Sequence, residues 1–373
     1  MRIGVVGAGP GGATAALLLA RAGGDVVLYE RDAWPREKAC GDGLTPSSIA
    51  QLERLGIALP DRLPLRGTFV SGPSERAFRA DWPGGLPNGT TMRRSAFDAT
   101  LVAAAVAAGA RFESRTAVDG CAGGRIALRG ATSREPARFD AVVLADGATG
   151  ALGTACGFGP HALRLAAFRG YAPAHADLTD DYQVHYARPL LPGYAWIFPV
   201  APRYANVGAV LAASGDVRAA LRAWLTTSAF ARRWLGKTVT LEQARGGIIP
   251  VGRGKRYADS VFAIGDAAGV ADPLSAEGVS QAMGSAVLAA EALLACGGDV
   301  EGAGASYESR VRRYDANNRE ALRMRWLFAR CADPLVALAR LRPALARHVV
   351  STGYFPKDDA AWFAGSFRAL IRG

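Results

Sequence analysis

Lysine is nearly missing from this chain: four stand against forty arginines in 373 residues. Together with the abundance of alanine, that ratio points to a GC-rich coding bias, and the net charge of +11 then loses its usual meaning as a nucleic-acid patch. No nucleic-acid motif accompanies the charge, so nucleic acid is not an expected partner. Cysteine is scarce as well. The five present are odd in number and contain no CxxC spacing, which removes a disulfide framework and a zinc site and fits a reducing cytoplasm. His161, His175, His185 and His348 stand singly, outside any motif, and read as structural or surface groups; no metal is expected. The longest apolar run, Ala99 to Ala110, falls short of the ~20 residues a spanning helix needs. Strand-forming residues begin at Arg2 and leave no room for a signal peptide.

What is present is a largely apolar chain, long enough to bury a sizeable core as one interleaved unit of two lobes. Ile3-Gly4-Val5-Val6 reads as a buried parallel strand, a glycine loop follows, and Ala13 to Ala22 has the small-residue helical pattern that packs closely on a sheet. Asp25 to Glu30 is a second strand, which completes a βαβ opening. A loop through Pro35 to Pro46 leads to a helix near Ser47 to Leu55, and Arg66 to Trp82 alternates like a hairpin. A helix from Ser95 to Ala108 precedes short strands with Gly-rich turns at Gly120 to Gly130 and a buried strand at Ala141 to Ala145. Strands dominate residues 155 to 250, including Gly193 to Pro199, Ala205 to Leu211 and Gly246 to Val251. Val261 to Ile264 returns to the first sheet and feeds a helix from Ala276 to Leu294. Beyond Glu301 the pattern is helical, with breaks at Pro334 and Pro343.

Three segments carry nucleotide chemistry. Gly7, Gly9 and Gly12 form a GxGxxG between a strand and a helix, where a tight turn, close backbone approach to a pyrophosphate and close helix packing each require a missing Cβ. Glu30, at the end of the second strand, is placed to accept hydrogen bonds from ribose hydroxyls. Gly265-Asp266 ends another strand with a carboxylate suited to a ribityl hydroxyl, and the helix after Pro273 aims its positive end, with the N–H groups of Gly278 and Val279, at the edge of a flavin. Cys40, Gly41 and Gly43 lie in a glycine-bearing loop; the Cys40 thiol either lies over the flavin and relays a proton or is a buried, inert group. Arg94, in an RxxFD pattern, can reach the pyrophosphate or the isoalloxazine, and Asp146-Gly147 ends a buried strand as a cofactor approach or a plain turn. Ala13, Arg31 and Val118 complete the candidate cofactor-binding set. The expected fold is α/β with α+β character. A Rossmann-like FAD-binding domain (1–65, 85–154 and 252–298) interleaves with a mixed β-sheet substrate domain (66–84 and 155–251), and a helical region follows (299–373).

The set GxGxxG, Glu30, Arg94, Asp146-Gly147 and Gly265-Asp266 resembles the para-hydroxybenzoate hydroxylase-type FAD fold. Within that superfamily, the loop Lys38 to Gly43 and the segment Tyr194-Ala195-Trp196-Ile197-Phe198-Pro199 resemble the geranylgeranyl reductase family. That family carries a YxWxFP stretch followed after seven or eight residues by GxG; here eight separate Pro199 from Gly208. The resemblance covers residues 1 to 300. It departs in two places, Val210 for the second glycine of GxG and Ala276 where a glycine would precede Glu277, and both add bulk near the substrate or the ring.

The resemblance implies reduction of a carbon–carbon double bond in an isoprenoid or similarly apolar metabolite, with Cys40, Tyr194 and Trp196 as candidate catalytic residues and Tyr194, Trp196, Phe198, Pro199 and Gly208 as candidate substrate contacts. Period-two spacing sets the three aromatics on one face of a strand, which is also how an aromatic core ladder is written. No second nucleotide fingerprint is present, so electrons come from outside, from a transient NAD(P)H or another donor, including an electron-donor protein. Rival readings on the same fold are an FAD monooxygenase, with a halogenase as its weaker variant, and a non-catalytic flavin carrier. Leu338, Leu341 and Leu345, with Arg340 and Arg347 nearby, either lie on an anionic bilayer or pack on the domain.

Overall fold

A computed structural model describes residues 1–354 apart from residues 61, 83–86, 130–135, 150, 176–177 and 179; the stretch 355–373 of the expected helical region and the expected 84/85 boundary fall outside the described residues. Two large sheets carry the architecture. In the first, six strands lie in the order Tyr257–Ala258, Val261–Ala263, Ala141–Leu144, Arg2–Val6, Asp25–Tyr29 and Arg111–Glu113, all parallel except the antiparallel edge strand Tyr257–Ala258. Continuous apolar runs such as Ala141-Val142-Val143-Leu144 suit this position because a parallel sheet is covered on both faces.

Helix Pro10–Arg21 packs between helices Arg94–Ala107 and Val279–Ala295. Its glycines and alanines allow the close approach: a Cβ on Gly11 would already touch the Ala282 carbonyl at 3.2 Å. A three-stranded antiparallel sheet, Val118–Ala122, Arg125–Leu128 and Ala137–Arg138, brings Ile126 onto the bare Cα of Gly4, with Phe139 beside it.

The second sheet has seven strands in the order Glu242–Val251, Leu163–Pro173, Tyr204–Ala212, Tyr194–Ala201, Asp181–His185, Gly67–Ser71 and Ala77–Asp81. It is mixed, since Asp181–His185 runs parallel to Gly67–Ser71 while its other pairings are antiparallel. Helices Val217–Thr227 and Ala229–Leu235 cover one face with Trp224, Phe230 and Trp234. His185 is part of this packing: its Nδ1 accepts from Trp224 at 2.9 Å, its Nε2 faces the Gly72 carbonyl at 3.0 Å, and burial pushes its pKa down. A second small sheet, Gly43–Leu44, Gly89–Thr91 and Leu63–Leu65, joins the two lobes. Its Thr91 hydroxyl bonds the Pro199 carbonyl, and the Tyr182 hydroxyl reaches the carbonyls of Leu44 and Thr90.

The expected fold class is the one observed. The C-terminal helices depart in detail. Pro334 does not end its helix, which runs Arg313–Leu341; instead the backbone leaves helical geometry at Cys331 (φ −129°, ψ 27°), in the turn before the proline, where the ring crowds the chain and no N–H closes the ladder. The expected leucine face is also divided: Leu345 is 4% exposed and Leu338 packs under the second sheet, so only Leu341, 79% exposed, points outward. Among the described residues no helix is long and apolar enough to cross a membrane.

The long helix is tied to the first lobe through Arg256. This fully buried side chain pairs with Asp315 at 2.5 and 3.1 Å and donates to the Ala268 carbonyl at 3.0 Å. Asp315→Ala should leave that guanidinium without its counter-charge. Breaking a fully buried pair costs about 3–5 kcal/mol, and the partial exposure of Asp315 lowers the expectation to about 2 kcal/mol, read as a drop in the urea midpoint at unchanged slope.

Candidate functional site

The glycine turn divides its work among three positions. Gly7 (φ +102°) donates to the Tyr29 carbonyl at 2.8 Å, and a side chain there would strike the Ala145 carbonyl. A Cβ on Gly12 would run into the carbonyl of Gly7. Gly9 is different: the nearest group to its missing Cβ is the Arg36 guanidinium, 3.7 Å away, so the backbone at the start of the 12-residue helix is bare. Free N–H groups and the helix dipole make such a place receptive to an anion. Ala13 continues the turn, its N–H bonded to the Gly9 carbonyl.

Glu30 is buried beside this turn and accepts from the N–H groups of Ala8 (3.3 Å) and Asp32 (3.1 Å). Arg36 joins it to Asp98, with contacts of 3.1 and 2.7 Å, and Arg94 holds Asp98 through two hydrogen bonds of 2.8 Å. Burial works against the Asp98 charge, but Arg94 and Arg36 outweigh it and hold the carboxyl below the usual range. Arg94 also reaches the thiol of Cys40, so the expected cofactor arginine is committed within the protein. Arg31 is exposed and lies near Asp32, and Val118 opens its strand two residues after Thr116, whose N–H donates to the Glu30 carbonyl at 2.8 Å.

The loop of residues 38–43 is fastened from the second sheet. Asn206 donates to the Cys40 carbonyl and to Asp42, both at 2.9 Å, while its own carbonyl accepts from the Trp196 indole at 2.9 Å. Arg169 donates to the Lys38 carbonyl at 3.1 Å. Asp42 sits at φ +61° and also accepts from the Tyr171 hydroxyl at 2.5 Å; its second oxygen has no hydrogen-bond partner among the described residues. Burial pushes its carboxyl pKa up against the pull of Tyr171, Asn206 and two arginines. Gly41 lies against the aromatic strand, its missing Cβ 3.2 Å from the Phe198 ring and 3.4 Å from the Trp196 indole nitrogen, and Gly43 likewise faces Tyr182.

Lys38 connects the remaining segments. Its ammonium is 3.7 Å from Asp266 and 3.4 Å from where a Cβ of Gly147 would stand. Gly265 (φ +58°) donates to Ser285 at 3.0 Å, which seats the turn that carries Asp266. Gly278 precedes helix Val279–Ala295 with its missing Cβ 3.5 Å from Asp266, and Glu277 accepts from the Ser280 N–H at 2.8 Å at the start of that helix. Pro273 is held through its carbonyl by Arg325 at 3.1 Å. Ala276 adopts φ +55°, a conformation that favours glycine and costs an alanine about 1 kcal/mol, so the departure from the family pattern is borne as backbone strain. Asp146 stands behind Gly147, its pKa raised to about 6 by burial, with Arg253 opposing the rise. The His161 pKa is pushed down to about 4 by burial and by Arg253, which leaves that imidazole neutral.

Tyr194, Trp196 and Phe198 share one face, with successive ring centroids 6.1 Å apart. Tyr194 and Trp196 are buried in the core cluster under the long helix and Phe198 is half-buried. Their polar atoms are taken, since Tyr194 bonds the Ser275 carbonyl and Trp196 bonds Asn206. Gly208 pairs with Trp196 across the strands, and the indole fills the space of its absent side chain. Val210 is fully buried in the same cluster.

The open backbone positions at Gly9, Gly147 and Gly278 thus come with Glu30, Lys38 and Asp266 from segments far apart in sequence. A ribose-binding carboxylate at one end, a bare helix start for a pyrophosphate and a second carboxylate near another helix start fit the parts of FAD. Asn206, Arg36 and Asp42 belong to the same assembly, although no motif marks the first two and Asp42 is visible only as a member of the loop.

Residues 1–161 match the FAD binding domain family. Menaquinone reductase of Mycobacterium tuberculosis is 35% identical over 210 residues, 52% of this chain and 51% of that protein, so the chain spans about half the length of this relative. Digeranylgeranylglycerophospholipid reductase of Methanosphaerula palustris is 29% identical over 317 residues, covering 78% of this chain and 76% of that protein. Among solved structures, a geranylgeranyl bacteriochlorophyll reductase-like protein of Thermoplasma acidophilum superposes with a TM-score of 0.81 at 21% identity over 98% of this chain and 95% of that one. A flavin-dependent brominase does so with a TM-score of 0.80 at 20% identity over the whole of both chains. At these identities the structural likeness is one of fold. Residues 1–161 therefore carry an FAD binding domain, and the chain is similar to FAD-dependent oxidoreductases.

Two outcomes follow from this geometry. Asn206→Ala should free the loop of residues 38–43, costing about 2–3 kcal/mol for the lost buried bonds and weakening FAD binding about tenfold, read by flavin fluorescence on dilution. Asp146, whose folded pKa lies above the unfolded one, keeps in the folded FAD-free protein a proton that the unfolded chain releases between pH about 4 and about 6. Its contribution is therefore present at low pH and lost as pH rises through that window. Asp146→Asn should match the wild type in stability below pH about 4 and exceed it above pH about 6, by parallel urea titrations.

Proposed function

We propose that the protein reduces a carbon–carbon double bond in an apolar, prenyl-bearing metabolite such as a menaquinone. The observation that carries this reading is the aromatic ladder set directly against the loop of residues 38–43, with Gly41 in contact range of Phe198 and Trp196. Tyr194 and Trp196 are buried with their polar atoms bonded to the protein, so what the ladder presents to a ligand is the half-buried ring of Phe198, carbon surface with no polar handle. The names of the relatives, a menaquinone reductase and a digeranylgeranylglycerophospholipid reductase, support a prenyl-bearing substrate.

Bound reduced FAD supplies hydride chemistry at its ring. The chain supplies the rest: Gly7, Gly9, Gly12 and Glu30 hold the nucleotide end, Asp266 holds the ribityl chain, and the N–H groups of Gly278 and Val279 at the start of a 17-residue helix favour negative charge beside the ring. Cys40, backed by Arg94, closes the site on the loop side and carries the proton for the second alkene carbon. Electrons enter from a transient NAD(P)H or a donor protein. Oxygenation or halogenation ranks second. It draws on the brominase likeness, but Lys38, the lysine of this loop, is paired with Asp266.

The test is a single turnover without oxygen. FAD-loaded protein reduced with dithionite and given menaquinone should return to the oxidised spectrum one-for-one with a product heavier by two hydrogens in the prenyl tail. Phe198→Ala should raise KM about tenfold with kcat less affected, as lost apolar contact area demands. Reoxidation by oxygen alone, with an oxygenated or halogenated product, would overturn the reading.

A further inference from the structure

We infer that Cys121 and Cys156 form a reversible redox pair, a buried dithiol that hydrogen peroxide converts to a disulfide inside the FAD-binding lobe. Thirty-five positions apart in sequence, the two sulfurs lie 3.1 Å from each other, about 1 Å beyond a disulfide bond length. They come from different elements: Cys121 from strand Val118–Ala122, Cys156 from the residue after helix Ala151–Ala155. Cys156 also donates to the Cys121 carbonyl at 2.7 Å, which fixes its side chain toward its neighbour. The two are 4% and 8% exposed, so a small oxidant suits them and a bulky thiol reagent does not. Nothing in the flavin chemistry uses either sulfur.

The roles of the two sulfurs are unequal. The hydrogen bond from Cys121 favours a thiolate at Cys156, against burial and with help from Arg253, whereas the same contact and burial push the Cys121 thiol up. Cys156 is therefore the attacking group. Cys156 gives up its proton, its thiolate takes one peroxide oxygen to give a sulfenic acid and hydroxide, and that hydroxide and proton combine as the first water; the Cys121 thiol then displaces the sulfenic hydroxyl, which leaves with the Cys121 proton as the second water. The sum is two thiols and one peroxide to one disulfide and two waters, with two electrons passing from sulfur to oxygen. The bond would fasten the segment that leads away from Asp146-Gly147 against the three-stranded sheet. Arg253, which bonds the Gly159 and Ala267 carbonyls at 2.8 and 2.5 Å, links that segment to the turn carrying Asp266.

The folded full chain is treated with hydrogen peroxide, the peroxide is removed, and the chain is unfolded in denaturant, alkylated and mapped by mass spectrometry. Expected is a Cys121–Cys156 peptide pair lighter by two hydrogens, loss of two of the five alkylatable thiols, recovery with dithiothreitol, and a Tm higher by about 5 °C in the oxidised form. Cys121→Ser should stop at a sulfenic acid on Cys156, which dimedone traps when the peroxide-treated chain is unfolded in its presence. The inference fails if both thiols stay alkylatable while Cys40, Cys296 or Cys331 is oxidised, or if wild-type Cys156 passes to sulfinic acid with Cys121 unmodified; both readouts need only the wild-type chain.

Discussion

One carboxamide sets the distance between the two lobes where it matters. Asn206 lies on a central strand of the second sheet and spends its amide on the Cys40 carbonyl and the Asp42 carboxyl, and its carbonyl on the indole of Trp196. The loop of residues 38–43 is therefore positioned by the second sheet, and the aromatic ladder is locked by the same side chain. No apolar residue of that size could substitute, because the Cys40 carbonyl, the indole N–H and the buried Asp42 would each lose a partner around a fully buried side chain.

The charges around the nucleotide end follow a similar economy. Glu30, Arg36, Asp98 and Arg94 alternate in sign along one line from the second strand of the first sheet to the Cys40 loop. Each is buried or nearly so, and each would be costly alone; the alternation lets four ionised groups share an interior. Lys38 and Asp266 repeat the pattern beside Gly147 and Gly278, in a more open setting.

How much of this could be read beforehand depended on the range of the forces involved. The glycine turn, Glu30 and Gly265-Asp266 are short-range matters of sterics and strand ends, and the chain writes them where any nucleotide fold would. The ladder at 194, 196 and 198 follows from period two alone. Asn206 is 166 positions from Cys40, and nothing periodic or compositional connects them. Arg36 is one arginine among forty, and only its place between two carboxylates distinguishes it. Ala276 illustrates a different gap: the missing glycine was visible, but the positive φ it must adopt was not. Pro334 was visible too, yet the chain bends at Cys331 and keeps its helix on both sides, because packing against the second sheet outweighs one lost hydrogen bond.

Arg325 and Trp326 are neighbours on the long helix that look in opposite directions. The first is buried and grips the Pro273 carbonyl; the second is 57% exposed, with Arg330 lying over its ring. One helix thus stands between the outer surface and the loop that carries Pro273. Any force that shifts the helix from outside must either carry that loop with it or break the grip, so the loop has a mechanical handle one helix diameter away.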